Sequence, residues 1–539
     1  MLDSSPTQAL PHQRPAQARD WNGPGTGFVT RYDTGRDGAG GRVTGAALVA
    51  IVLVAAAIVV VPGTVGPGLG IAAVGVGTAL VLAGLNSPTV AIVLLISTLF
   101  LRQGLRIDAL PAEPYLFAFG GVLGAAGVAL SRQRSRAPQF GAVEGLMAMF
   151  LLWCIVSAVL PHPYPGDDGA PPHYFILLGV FVPFVLYIVG RAVIDTERAV
   201  RVLLWTLLGV WTYSVMHSIL QFHAKSLAWP ATYASYGDDA SWSNRALGVF
   251  GNPVENGFVL VLGFVIALYL ARTPATRPLP RAALYGMSFL SLYAIYLTRT
   301  RAVYLVFALA LIGAALLVPR VRAICATLLG VGAAGAVALA PVLLTDDRNS
   351  GGLLSSYEIQ DRLNMIATAI WAIGEKPIAG WGIARFSAVN TYHHKQWSQE
   401  IPWFRGYGIE AHFMELGIAT ELGMIGLVLW IPLLVMVARR LRNAVRLAPR
   451  GSDVLVGREL VVMLAAFGGL WVLVGFTVDL RFLSFANALV WLLVGVAVGT
   501  ADRPPPEAVP AVPASGTAEG SAIALAEDEE LYLRWVGAR

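Results

Sequence analysis

The sequence predicts an all-α fold, a polytopic transmembrane helical bundle with about fourteen spans. Three observations point there. Only 13% of the 539 residues are charged while 56% are hydrophobic, against about 25% charged in a soluble domain. The mean hydropathy is +0.65. Apolar runs long enough for a bilayer core, about 20 residues each, recur along most of the chain. So little charge cannot cover a folded surface in water, so lipid must be part of the solvent.

The elements follow in order. Residues 1–43 read as a cytoplasmic N-terminal tail carrying Arg14, Arg19, Arg31, Arg36 and Arg42, with a signal anchor after it. Apolar runs then occupy 44–62, 66–86, 112–131, 142–160, 174–192, 199–222, 254–271, 282–298, 302–318, 323–344, 412–438, 457–478 and 482–499. A weaker run at 88–101 completes the count. With it, the dense arginine groups at 132–136, 191–201, 272–281, 320–322 and 439–450 all fall on one side, as cytoplasmic loops require. Without it the later groups would land outside. The transmembrane domain is therefore 44–500. Residues 501–539 form a Pro/Ala/Glu-rich cytoplasmic tail. Cys154 and Cys325 both sit inside apolar runs, which disfavours a disulfide or thiolate metal site.

The opposite, extracytoplasmic side receives 161–173, 223–253, the turn 298–301 and a long loop, 345–411. The acidic pairs Asp167/Asp168, Asp238/Asp239 and Asp346/Asp347 fall there too. A loop of that length is more than a connector. Within it Ile359, Leu363, Ile366, Ile370 and Ile373 recur at helical spacing, with Ser355 and Glu358 placed as a capping box. That pattern predicts an amphipathic helix on the membrane surface. The alternative is a helix packed on the loop's own core.

Four constellations carry potential chemistry. Arg245 precedes Gly251-Asn252-Pro253 at a span start, where a cation opposes the helix dipole and calls for an anionic partner. Arg299 and Arg301 stand in a tight turn between two spans. Charge at a membrane edge is a functional signal, and the arginine fork suits phosphate oxygens; interfacial anchoring is the plainer reading. Asp361-Arg362 lies on the loop helix, followed by Pro377, Gly380 and Gly382. His412 and Glu415 stand three apart at the entry to a long span, where the carboxylate could orient the imidazole as a base. A lone interfacial histidine is the plainer reading here too. No nucleotide-binding glycine loop, Asp-x-Asp pair or HExxH appears.

Taken together and in order, these motifs resemble the O-antigen ligase/polymerase superfamily of membrane glycosyltransferases. The matching pieces are Arg245 with Gly251-Asn252-Pro253, the turn Thr298–Arg301, Arg362 followed by Pro377, Gly380, Gly382 and Phe386, and His412 continuing to Glu421-Leu422-Gly423 and Gly426. Phe413 stands where the family often has Asn.

The resemblance implies a GT-C-like bundle in the bacterial inner membrane, working on the extracytoplasmic face without metal or cofactor. The donor would be a polyprenyl-pyrophosphate-linked glycan and the acceptor a glycan, lipid or wall polymer. It implies His412, Arg301 and Arg245 as catalytic residues and Arg299, Arg362 and Glu415 as substrate-binding ones, with Glu421 structural. Membrane lipid and other polysaccharide-assembly proteins are the expected partners, and nucleic acid is not. Protein-glycosylating relatives often carry an added C-terminal region, which the short tail here disfavours, and a polymerase is preferred to a ligase. The rival class is a transporter or flippase of lipid-linked saccharides, which should show paired broken helices or matched halves.

Overall fold

The computed structural model describes residues 87–102, 104, 113–132, 140–164, 171–230, 244–345, 356–403, 408–450 and 455–501. The runs 44–62 and 66–86, both tails and the three acidic pairs lie outside these residues. Among the described residues the regular structure is entirely helical.

The helices are α1 (Pro88–Phe100), α2 (Pro114–Arg132), α3 (Ala142–Val159), α4 (Pro172–Val193), α5 (Glu197–His223), α6 (Pro253–Ala271), α7 (Pro278–Leu297), α8 (Arg301–Leu317), α9 (Pro319–Ala338), α10 (Ser356–Glu375), α11 (Phe386–His393), α12 (Met414–Leu447), α13 (Arg458–Gly475) and α14 (Ser484–Gly499). Seven of these, α3, α4, α5, α6, α9, α12 and α13, are long and apolar enough to cross a membrane. Helices α1, α8 and α14 and most of α2 are apolar but shorter. Helix α7 has the length, but Arg281, Ser288, Ser291 and its tyrosines dilute its apolar character. Every predicted run within the described residues is thus helical. By length and composition seven qualify as spans, short of the count of fourteen.

Helices α6 and α14 form the centre. Nearly every side chain of both is buried, while Leu152, Val428 and Leu473 on peripheral helices are exposed, as lipid-facing side chains must be. Buried polar groups join the central elements. The Glu255 carboxylate on α6 accepts from the Phe485 and Ala486 amides at 2.8 and 3.0 Å, satisfying the start of α14. In α4, Pro183 has no N–H to offer the Gly179 carbonyl four residues back. The Asn487 amide fills that position at 2.8 Å, and a π-helical turn, Leu177–Phe181, absorbs the irregularity.

Helix α12 is broken. Gly423 takes φ 65 and ψ −164 within it, freeing carbonyls on the preceding turn. Each is met by a donor from elsewhere. Trp381 N–H reaches the Thr420 carbonyl at 2.9 Å, Gly382 N–H the Glu421 carbonyl at 2.9 Å, and the Trp153 indole the Leu422 carbonyl at 3.0 Å. In return the Met424 amide donates to the Pro377 carbonyl at 2.8 Å. The Pro-x-x-Gly-x-Gly stretch of the loop and the Glu-Leu-Gly stretch of the helix are therefore two halves of one joint. That joint fixes the long loop to the bundle.

The arginine-rich connections gather at the other end. Glu144 takes Arg191 at 2.6 Å and Arg440 at 2.5 Å, and Arg320 pairs with Glu459 at 3.0 Å.

Candidate active site at the loop end of the bundle

The segment before α6 is built as a rigid turn. Asn244 adopts φ 62. The Ala246 amide donates to the Leu297 carbonyl at the end of α7, at 2.8 Å, and the Leu247 amide to the Gln221 side chain at 3.0 Å. The buried Asn256 amide reaches back to the Ala246 carbonyl at 3.0 Å. Asn252 caps α6 by accepting from the Val254 and Glu255 amides, and Pro253 supplies a first residue that needs no hydrogen bond. The Gly-Asn-Pro motif is thus a helix start. Its function is to hold Arg245 beside the α7–α8 turn.

That turn is equally constrained. The Thr300 hydroxyl donates to the Thr298 carbonyl at 2.7 Å, and Arg299 sits in the left-handed region at φ 44 with its guanidinium 5.8 Å from the Phe222 ring centre. Arg301 is the first residue of α8, where the helix dipole repels a cation.

Both arginines find the same anion. Arg245 Nη2 donates to Glu358 Oε1 at 3.1 Å, and Arg301 Nη2 to Glu358 Oε2 at 3.2 Å. The Arg245 and Glu358 side chains are 12% and 16% exposed and Arg301 is 31% exposed, so the cluster opens on the Arg301 side. Two guanidiniums converging on one carboxylate form a cradle sized for a doubly coordinated anion.

Glu358 stands in the first turn of α10, and the expected capping box with Ser355 falls partly outside the described residues. Its carboxylate is engaged by the two arginines. The helix turns its isoleucines outward, the orientation a surface helix would give its apolar stripe. Asp361, Asn364, Met365, Thr368, Ala369 and Ala372 are buried, while Ile359 and Ile370 are exposed. The reason is hydrogen bonding within the loop. The Trp397 amide donates to Asn364 at 2.8 Å and the Lys395 amide to Thr368 at 3.0 Å. These bonds turn the polar face inward and leave isoleucines outside.

His412 is not on a helix. Helix α12 begins at Met414 after an extended Phe413, so His412 and Glu415 do not share a helical face as their spacing predicts. Before it, Ala411 packs with Met365 and Ala369 of α10 in a small apolar cluster. That contact puts His412 beside the helix that carries Glu358. His412 Nδ1 lies 3.1 Å from the Glu410 carbonyl. A carbonyl only accepts, so this contact fixes the proton on Nδ1 and leaves Nε2 as the basic nitrogen.

Deeper in the bundle Glu421 pairs with Arg481 at 3.0 Å, and Arg481 with Asp479 at 2.5 Å, all three side chains being 1–3% exposed. Burial alone would lower the Arg481 pKa, but Asp479 and Glu421 outweigh it and raise it. Among the described residues no three His, Cys, Asp or Glu side chains gather as a metal set.

Residues 286–431 match the family model described as O-antigen ligase, a stretch from α7 into α12 that contains Arg301, Glu358, Arg362 and His412. This match supports the likeness to the O-antigen ligase/polymerase superfamily over that stretch. No curated protein matches the chain significantly.

Within and beside the matched stretch, the structure brings Arg245 and Arg301 together on Glu358 and packs Ala411, the residue before His412, against the same helix. Arg299 turns towards Phe222, Arg362 follows the buried Asp361 on α10, and Glu415 lies in the first turn of α12. Sequence reading missed Glu358 as the shared anion. The signal was available, since two edge arginines demanded an acid and Glu358 stood off the apolar stripe. It also missed an aromatic cluster in the domain. Tyr164 stacks on Trp381 and Tyr392 and hydrogen-bonds His393, with Trp371 packed alongside.

Proposed function

We propose that this chain is a membrane glycosyltransferase that polymerises or transfers polyprenyl-pyrophosphate-linked glycan units on the extracytoplasmic face of a bacterial inner membrane, for cell-surface polysaccharide biosynthesis. The observation that carries this reading is the convergence of Arg245 and Arg301 on Glu358. The carboxylate stands where a diphosphate oxygen pair would sit, and the two guanidiniums are held apart by rigid turns before any substrate arrives. Fixed charge of this kind stabilises a leaving anion in a poorly solvated site.

The reaction is a displacement at the anomeric carbon. The acceptor hydroxyl oxygen forms the new glycosidic bond, and the bond from that carbon to the diphosphate oxygen breaks. The electron pair leaves with the polyprenyl diphosphate, against Arg301 and Arg245. His412 Nε2 takes the acceptor's proton. Arg299, Arg362 and Glu415 contact substrate around this centre. The chemistry requires no metal in this scheme, because the arginines supply the charge. The arginine-rich end of the bundle faces the cytoplasm and both termini lie there. Polymerisation is the preferred outcome on the sequence reading, with a growing lipid-linked chain as acceptor.

Transport of the same lipid-linked saccharide is the second reading, and the break at Gly423 is the observation that favours it, since broken helices line transporter sites. The carbonyls of Thr420, Glu421 and Leu422 are already met by Trp381, Gly382 and Trp153, which favours a docking joint over an ion site. Purified protein in vesicles with lipid-linked glycan separates the two readings: lengthened or transferred glycan is expected, and movement across the bilayer with no new linkage overturns the enzyme. In a deletion strain, accumulating single units identify a polymerase, and full-length unattached chains a ligase.

A further inference from the structure

At the end of the bundle opposite Glu358, a crevice of about 540 Å³ opens between α12, α13 and α14. Its walls are apolar, with Trp471 and Trp491 deep inside, and its mouth carries Arg442, Arg446 and Arg458. These three differ from Arg440, Arg191 and Arg320 at that end. Arg440 and Arg191 are engaged by Glu144, and Arg320 takes the nearby Glu459. Arg442, Arg446 and Arg458 are exposed, and no ion pair or side-chain hydrogen bond engages them among the described residues. Arg442 and Arg446 are one turn apart on α12. Arg458 is the first residue of α13, where the helix dipole adds a further pull on an anion.

We propose that this crevice is a binding site for an anionic phospholipid, with its phosphate on Arg442, Arg446 and Arg458 and one acyl chain along α13. The two halves of the site fit the two halves of that ligand. Arginine forks match phosphate oxygens. The apolar wall on α13 runs from Arg458 to Val472, about 21 Å at about 1.5 Å per residue, enough for one leaflet's share of a hydrocarbon core about 30 Å thick. The cavity also lies within the range of about 300–1,000 Å³ that encloses small ligands. A Cβ built on Gly469 meets nothing within 4 Å, so this wall position opens on empty space.

The test uses the full-length protein in detergent, with phosphatidylglycerol and phosphatidylcholine as probes, read by native mass spectrometry. Wild type should retain phosphatidylglycerol over phosphatidylcholine. The triple variant R442Q/R446Q/R458Q should lose about fivefold of that preference for each charge removed. Gly469→Leu, which plugs the crevice where no protein atom stands, should displace the lipid. Arg439→Gln, exposed at the same end but outside the lining, should change nothing, and glycan transfer should persist in all three variants. Equal retention of both lipids by wild type, or undiminished phosphatidylglycerol in the triple and plugged variants, overturns the site. So does a doubled mass that Gly469→Leu abolishes, which gives the crevice to a second copy. So does binding that appears only after residues 502–539 are removed, which gives it to that acidic segment.

Discussion

Gly380 and Gly423 lie back to back, so close that a Cβ on either would stand 2.7 Å from the other's backbone nitrogen. Both hold positive φ, 73 and 65. This contact joins the long loop to the broken helix, and only hydrogen fits on both sides. Either Gly→Ala substitution meets left-handed strain of about 1–2 kcal/mol plus overlap with backbone that cannot move aside. Thermal unfolding of detergent-solubilised protein should show a loss of about 2 kcal/mol or more for each. Gly374→Ala is the control, because its Cβ meets nothing within 4 Å, and it should be neutral or slightly stabilising.

Arg481 is buried with Glu421 and Asp479 beneath the site. Removing one partner of such a group strands the others, at about 3–5 kcal/mol. Arg481→Met should accumulate poorly in membranes. Combining it with Glu421→Gln and Asp479→Asn should restore the monodisperse peak in fluorescence-detected size exclusion.

In the proposed reaction, Glu358 would compete with the diphosphate for the two arginines. Glu358→Gln keeps the shape and removes the charge, so polyprenyl diphosphate should inhibit transfer about tenfold more strongly. Turnover should fall at the same time, because the guanidiniums lose the group that spaces them. An unchanged inhibition constant would mean that the diphosphate does not bind between them.

The loop should loosen in acid. Burial holds the His162 imidazole below its ordinary pKa, and Arg385 and Lys376 push the same way against the Ser157 carbonyl. Burial also lowers His394, opposed by Asp361. A histidine lowered in the folded state binds fewer protons there than when unfolded. Its contribution is therefore complete above the ordinary value of about 6.5 and lost as pH falls below it. Hydrogen exchange across 376–395 should accelerate between pH 6.5 and 5, and His162→Gln with His394→Gln should flatten that dependence.

Much of this was legible in the chain. Apolar runs marked every helix of the bundle within the described residues, because burial in lipid constrains composition directly. The need of Arg245 for an anion was readable from the helix dipole. Glu358 was not identified as that anion, since a contact between α10 and two distant turns leaves no periodic trace. His412 was placed on a helix because spacing cannot show that Ala411 packs on Met365 and that the helix begins only at Met414. The inward face of α10 was not legible, because it is chosen by Asn364 and Thr368 binding loop backbone. The Glu-Leu-Gly break was visible only as a motif, and its meaning appeared once Pro377–Gly382 lay against it.

The central claim is that Arg245 and Arg301 grip one diphosphate together. A double-mutant cycle on polyprenyl diphosphate affinity, with R245A, R301A and R245A/R301A, tests it most directly. The account predicts that each single change weakens binding and that the double falls well short of their sum, with a coupling above about 0.5 kcal/mol. Transfer should drop about 10²–10³-fold in R301A. Losses that add independently, or affinity untouched by either substitution, would contradict it.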